Sequence, residues 1–460
     1  MLNNTNAGWP QKPLSEVVDL NPRLDKSSYR DDLEVSFVPM AAVEAGSGRM
    51  EVSQTKYFAT VKKGYTPFRE GDVLFAKITP CMENGKMAVV PKLSNGLGFG
   101  STEFHVLRPH QGIDPRYVYY FVSSQGFRRE AAHRMTGAVG QKRVPKSFLE
   151  EATIPVPHFD DQQRIVAEIE KQFSRLNESV ASLKRVKANL KRYRAAVLKA
   201  AVEGKLTEEW RKQHPNVELA SKLLERILSE RRAHWKGKGK YREPIPPDTS
   251  NLSPLPQGWT WASVDEVAEI LLGKMLDQNK HRTGRRLPYL RNINVRWGRV
   301  QTDDLLEMFF ESDELDRYGL KPGDVLVCEG GEPGRAAVWD GRISELKYQK
   351  ALHRVRFYGT IEPRYLVFLL EFLADTGRLE RWFTGSTIKH FTRESFISLP
   401  IQMPSLKEQE QIVAEVERRL SVIEELEAVV QANLTRADRL RQSILGQAFS
   451  GKLLLNEARG

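Results

Sequence analysis

The chain has 460 residues, 40% of them hydrophobic and 9% aromatic, enough to build more than one core. Seventy Lys and Arg against 59 Asp and Glu leave a formal net charge of +11, a balance that favours a polyanionic partner. Two cysteines, Cys81 and Cys328, exclude a disulfide framework or a zinc cluster; no run approaches the ~18 apolar residues of a membrane helix, and "MLNNTNAGWPQKP" has no leader pattern, so a soluble cytoplasmic protein is expected.

Residues 1–157 read as one α+β domain, opened by "GW" at Gly8 and Trp9. The short apolar runs "VSFVPM", "DVLFAKI" and "MAVVP" predict strands of a largely antiparallel, curved sheet, punctuated by Gly and Pro. "GLGFGST" (96–102) is Gly-rich, but no Lys is placed to meet phosphates, so strand and turn is the better reading. "IDPRYVYYFV" predicts a short helix with Pro115 in its first turn. A small-residue loop, "TGAVGQKRV" (136–144), precedes a last strand ending in "IPVP".

Residues 158–206 then predict one long helix. Ile165, Ile169, Phe173, Leu176, Val180, Leu183, Val186, Leu190, Tyr193 and Val197 recur at steps of three and four, a narrow apolar stripe. About 40 helical residues span roughly 60 Å at 1.5 Å each. Residues 207–257 hold a short amphipathic helix, with Leu219, Leu223, Leu224, Ile227 and Leu228 on one side, followed by a Lys-, Gly- and Pro-rich linker.

From "GW" at Gly258 and Trp259 the order starts again. In 258–404, "PGDVLVCE" answers "EGDVLFAK", "IEPRYLVFLL" answers "IDPRYVYYFV", and "TGSTIKHFT" (384–392) answers "TGAVGQKRV". A second long helix follows in 405–460, with Ile412, Val416, Leu420, Ile423, Val430, Ala437, Leu440 and Ile444 in the register of the first. Ile165 and Ile412, Arg194 and Arg441, Leu198 and Leu445, and Gly204 and Gly451 are all 247 positions apart (412 − 165). Four ungapped anchors at one offset define an internal repeat. Matched stripes of that length point to two helices that bury them against each other as a coiled coil, rather than two helices packed separately on their own domains.

Catalytic signatures are scarce. There is no phosphate loop ending in Gly-Lys-Ser/Thr, no Asn/Asp-Pro-Pro-aromatic tetrapeptide, and no metal-ligand spacing among the nine histidines. Asp72 and Asp324 each follow a Gly before a strand, and Lys77 could complete a nuclease-like set; the second repeat has Glu329 there, and Gly-Asp is ordinary turn chemistry.

Binding chemistry is better supported. Thr136, Gly137, Gln141, Lys142 and Arg143 in one repeat, and Gly385, Ser386, Thr387, Lys389 and His390 in the other, join tight turns to hydroxyls, amides and cations, which suits phosphates and base edges. Further candidates differ between repeats: Lys77, Asn84 and Lys86 in the first; Arg285, Arg286, Arg291, Asn292, Asn294, Arg296 and Arg335 in the second. "LKRVKANLKRYR" (183–194) adds a basic helix flank that the second helix lacks.

The order domain, long helix, domain, long helix, with "LKRYRAAVLKAAVEGKLTEEWR", "EQIVAEVE", "QSILGQAFSGKL" and "LPQGW", resembles the specificity subunit of Type I restriction–modification enzymes over nearly the whole chain. The resemblance implies two target recognition domains, each reading one half of a bipartite site in double-stranded DNA. It also implies two antiparallel helices that set the half-site spacing in a pseudo-twofold arrangement. The chain would be non-catalytic and bind no cofactor: methyltransferase subunits docked on it carry S-adenosylmethionine, and a motor-nuclease subunit carries ATP and Mg. A DNA-modifying enzyme with its own site and a coiled-coil tether without sequence preference are the alternatives.

Overall fold

A computed structural model describes residues 8–138, 140–233, 235, 240–275, 283–359 and 361–457. Contacts divide the chain into two compact units, Met1–Arg185 with Val430–Gly460, and Val186–Val429. Both boundaries fall inside a long helix, so each unit holds one α+β domain and a part of each helix.

In the first unit the strands make two four-stranded sheets and a separate antiparallel pair, Gln11–Pro13 with Thr153–Pro155, rather than one curved sheet. Val18–Leu20, Phe104–Pro109, Val73–Ala76 and Met87–Val89 lie side by side in that order, all antiparallel. Thr55–Tyr57, Glu34–Val38, Leu97–Gly100 and Thr66–Arg69 form the other sheet, in which Glu34–Val38 and Leu97–Gly100 run parallel. The reason is legible in Val73–Ala76. All four residues are buried, with Val73 and Phe75 in one core and Leu74 and Ala76 in another. A strand that is apolar on both faces needs a layer on each.

The second unit repeats the plan. Ala268–Leu272, Leu352–Phe357, Val325–Cys328 and Ala336–Val338 form an antiparallel sheet, and Leu306–Phe310, Arg285–Leu290 and Lys347–Tyr348 a smaller one with a parallel edge. Val325–Cys328 is again buried throughout.

Each domain closes on the helices in the same way. Pro115–Ser123 starts with Pro at its first turn and Asp114 accepting from the Arg116 N–H at 2.7 Å; Pro363–Asp375 starts with Glu362 accepting from Arg364 at 3.3 Å. A buried glutamine ties each of these helices to the start of a long one. Gln162 accepts from the Asp114 N–H and donates to the Pro157 carbonyl, both at 3.0 Å; Gln409 accepts from Glu362 and donates to Pro404, also at 3.0 Å.

The long helices run Phe159–Val202 and Leu406–Phe449, 44 residues each. Their pairing is antiparallel within each unit. In the first, Ile165 and Ile169 share a core with Leu445, Ala448 and Leu453, while Asn177 meets Arg441. In the second, Arg194 approaches Glu424 at 3.9 Å, and beyond the end of the first helix Arg211, on the short helix Glu208–Gln213, bonds Glu408 near the start of the second at 2.9 Å. Arg194 and Arg441 are repeat counterparts, and so are Glu424 and Asn177, so the same contact is made twice with different chemistry.

The stripes are not buried end to end. Ile165, Ile169, Val197, Ile412 and Val416 are fully covered, but Val186 (42%), Tyr193 (48%) and Leu440 (49%) are exposed. Tyr193 and Leu440 hold the same place in the repeat, next to the two arginines. The arginines turn inward there: Arg194 bonds the buried Glu371 at 2.7 and 2.9 Å, and Arg441 stacks on Phe173 at 4.5 Å. The ends of the stripes are thus covered jointly by the partner helix and the domain. Among the described residues, no helix is long and apolar enough to cross a membrane.

Candidate nucleic-acid interface

The two small-residue loops have one architecture. Thr136 and Arg143 exchange backbone hydrogen bonds at 3.0 and 2.8 Å, closing loop 136–143; Thr384 and His390 do the same at 2.8 and 2.9 Å. Gly137 (φ +122°) and Gly385 (φ +89°) turn the chain just inside each closure. A side chain at Gly385 would meet the Ile388 carbonyl at 2.2 Å, and one at Gly137 the Gln141 carbonyl at 3.0 Å. Beyond each loop, the Val144 N–H bonds the Lys77 carbonyl at 2.8 Å and the Phe391 N–H bonds that of Glu329 at 2.7 Å. Both loops are therefore fastened to the stretch leaving the doubly buried strand, Val73–Ala76 or Val325–Cys328.

Around the first loop, Gln141 and Lys142 are exposed, and Lys142 has no ion-pair partner among the described residues. Arg143 is engaged: it grips Glu103 at 2.9 and 2.8 Å, which holds that carboxyl below its ordinary range. Asn84 is exposed on a neighbouring turn; Lys86 donates to the Met40 carbonyl at 3.0 Å, and Lys77 is half-buried. Val139 lies outside the described residues.

Around the second loop, three candidates build the scaffold. Arg291 bonds the carboxylate and carbonyl of Asp304 at 2.6 and 2.9 Å. Arg335, 8% exposed, bonds Glu332 and the Asn292 carbonyl, and Asn292 donates to the Gly330 carbonyl at 3.2 Å. Gly330 lies beside both His390 and Asn292, so residues 291–294, 329–335 and 384–390 converge. Arg285 and Arg286 pair with Glu345 and Glu307, Arg296 bonds Gln301, and the Asn294 side chain bonds the Arg291 N–H and the Asp304 carbonyl. Ser386, Thr387, Lys389 and His390 remain exposed, with Ile388 (67%) at the tip and Ile293 (45%) beside Asn292. Lys389 has no ion-pair partner among the described residues. His281 and Arg282 lie outside them.

Asp72 and Asp324 are structural in both units. Asp72 accepts from the Arg69 N–H at 2.7 Å and from Arg108 at 2.8 and 2.7 Å; Asp324 accepts from the Lys321 N–H at 2.7 Å and from Arg356 at 2.7 and 2.6 Å. These are turn carboxylates locked by arginine. Cys328 is buried, and burial pushes its thiol up to about 11; Cys81 is half-buried.

Sequence reading passed over two histidines that the structure brings to the loops. His105 and His353 are buried, and their Nε2 atoms bond the carbonyls of Val144 and Phe391 at 2.9 and 2.7 Å. The signal was present: His-x-x-Arg recurs at 105–108 and 353–356, in register with the rest of the repeat.

A duplicated α+β domain that carries a fastened loop on helices paired by repeat has a family counterpart. The model of the Type I restriction modification DNA specificity domain matches residues 6–188 and again 256–434, so the chain belongs to that family and carries its domain twice. Among curated relatives from Escherichia coli, the Type I restriction enzyme EcoAI specificity subunit is 32% identical over 369 residues; the match spans 70% of this chain and 61% of that protein. The EcoKI specificity subunit of strain K12 is 27% identical, over 97% of this chain and 89% of the relative. The fold is shared with a solved chain from a study of complex assembly and conformational transition of the type I R-M system (TM-score 0.70, 22% identity, 97% of this chain and 98% of that one). It is shared too with the HsdS subunit from Thermoanaerobacter tengcongensis (TM-score 0.55, 19% identity, 97% of each).

Proposed function

We propose that this chain is the non-catalytic DNA-specificity subunit of a Type I restriction–modification complex, in which each unit reads one half of a two-part site. The observation that carries this reading is one loop scaffold built twice with different side chains at its tip. Shared backbone staples preserve the way a loop is presented, and altered tips change what it selects. Lys142 and Lys389 supply phosphate contacts, which fix register. Gln141, Ser386, Thr387 and His390 offer donors and acceptors to base edges, and Ile388 offers an apolar surface to a thymine methyl group. Arg143, Arg291, Asn292 and Arg335 act by holding the loops.

In this reading the long helices set the interval between half-sites and dock the methyltransferase subunits. Those partners carry S-adenosylmethionine and flip the target base; a motor-nuclease subunit carries ATP and Mg. The complex works in the cytoplasm. Deleting the chain in its host and mapping methylated DNA tests the role. Loss of a gapped, two-part methylated motif, restored by the wild-type chain, is expected. Unchanged methylation would exclude it.

A further inference from the structure

We propose that His105 and His353 are positioning residues for sequence reading, each clamping the backbone at the exit of its unit's recognition loop so that its loss relaxes base selection in one half-site and not the other. The inference rests on the proposed specificity role.

Four observations carry it. The bonded carbonyls belong to Val144 and Phe391, the first residues beyond the closures at Arg143 and His390. Both histidines lie on the strand next to the doubly buried one: His105 is opposite Phe75, and His353 opposite Val327. The residue after each loop is thus held on two sides, its N–H by the Lys77 or Glu329 carbonyl and its carbonyl by the imidazole. Finally, the contact is present in both units, 248 residues apart (353 − 105), although their loop sequences differ.

The bond also fixes the tautomer. A carbonyl only accepts, so Nε2 carries the hydrogen and Nδ1 is an acceptor. In the first unit Nδ1 is satisfied by the Asn21 side-chain amide at 3.0 Å, whose oxygen in turn accepts from the Val106 N–H at 2.9 Å. In the second, Nδ1 of His353 is buried without a partner among the described residues. Register puts Leu271 opposite Arg354, the residue after His353, where the first unit has Asn21 on Val106, the residue after His105. A leucine side chain has no amide to offer Nδ1, so the contact made by Asn21 has no match there. The second clamp therefore hangs on one hydrogen bond, and the second half-site is the more sensitive to its loss.

The test uses the full chain with its methyltransferase subunits in a host lacking other DNA methylation, and compares His353→Gln with His353→Asn. Both are neutral amides, but only glutamine extends its N–H to the Nε2 position. With His353→Asn, discrimination at positions of the second half-site is expected to fall about tenfold, the worth of one buried hydrogen bond, while the first half stays intact. With His353→Gln, most of it is expected to be regained. His105→Asn should relax the first half only. Identical motifs for His353→Asn and wild type, relaxation of both halves together, or equal behaviour of Asn and Gln would each overturn the inference. Absence of any chain-dependent gapped motif with the wild type would instead overturn the specificity role beneath it.

Discussion

At the scale of single residues, the two small-residue loops depend on backbone that only glycine tolerates. Gly385→Ala places a methyl group 2.2 Å from the Ile388 carbonyl at a positive φ, whereas Gly137→Ala places one at 3.0 Å. Strain of this kind costs about 1–3 kcal/mol. Methylation directed by the second half-site should therefore suffer more from Gly385→Ala than that of the first from Gly137→Ala, which quantitative methylation of mixed-site DNA would measure. The buried histidines give a pH dependence. Burial pushes His353 down from 6.5 to about 4, with Arg393 acting in the same direction and Glu394 and the Phe391 carbonyl against it; His105 is lowered too, among Lys77, Lys146 and Glu103. The folded form takes up the proton less readily than the unfolded chain. Its contribution is complete above about pH 6.5 and is lost as pH falls toward 4. Between pH 7 and 5, His353 alone should reduce the unfolding free energy by about 2 kcal/mol. Urea unfolding at the two pH values checks this, and His353→Gln should remove that part of the difference.

At the scale of elements, Glu408 joins three segments of the second unit. Its carboxylate, 3% exposed, accepts from the Thr207 hydroxyl at 2.7 Å, from Arg211 at 2.9 Å, and from the Trp259 indole at 3.0 Å. The "TEEWR" and "LPQGW" segments thus meet on one helix residue, which gives those stretches a physical reason. Removing one side of a buried charged network costs about 3–5 kcal/mol. Glu408→Ala should lower stability by that order in a denaturant titration, and Asp161→Ala, its half-exposed repeat counterpart paired with Arg164, by well under 1 kcal/mol. The long helices themselves were legible, because a stripe at steps of three and four has no other solution. Their partial exposure at Val186, Tyr193 and Leu440 was not, because it depends on two arginines turning inward to Glu371 and Phe173. Likewise, the apolar run at 73–76 signalled a strand, while the second sheet behind it became visible only from the pairings.

At the scale of the whole molecule, duplication carried most of what could be read in advance. Offsets near 248 in the sequence mark two domains, two loops and two helices. What they could not tell was which cations are free. Arg143, Arg291 and Arg335 read as binding residues, yet each is engaged by a neighbouring carboxylate, and sequence spacing holds no trace of pairs as distant as Arg143 and Glu103. Lys142 and Lys389, both exposed, have no such carboxylate among the described residues. With a net charge of +11, affinity for duplex DNA should fall steeply with salt. Replacing Lys142 and Lys389 by alanine should lower the slope of log affinity against log salt by about two, one per phosphate contact. The most direct measurement is an exchange. Residues 1–157 are replaced by the corresponding domain of a relative that directs a different methylated motif, and the host DNA is mapped. The expected result is a hybrid motif, with the first half from the donor and the second half retained. A motif altered in both halves, or in neither, would contradict independent reading by two units.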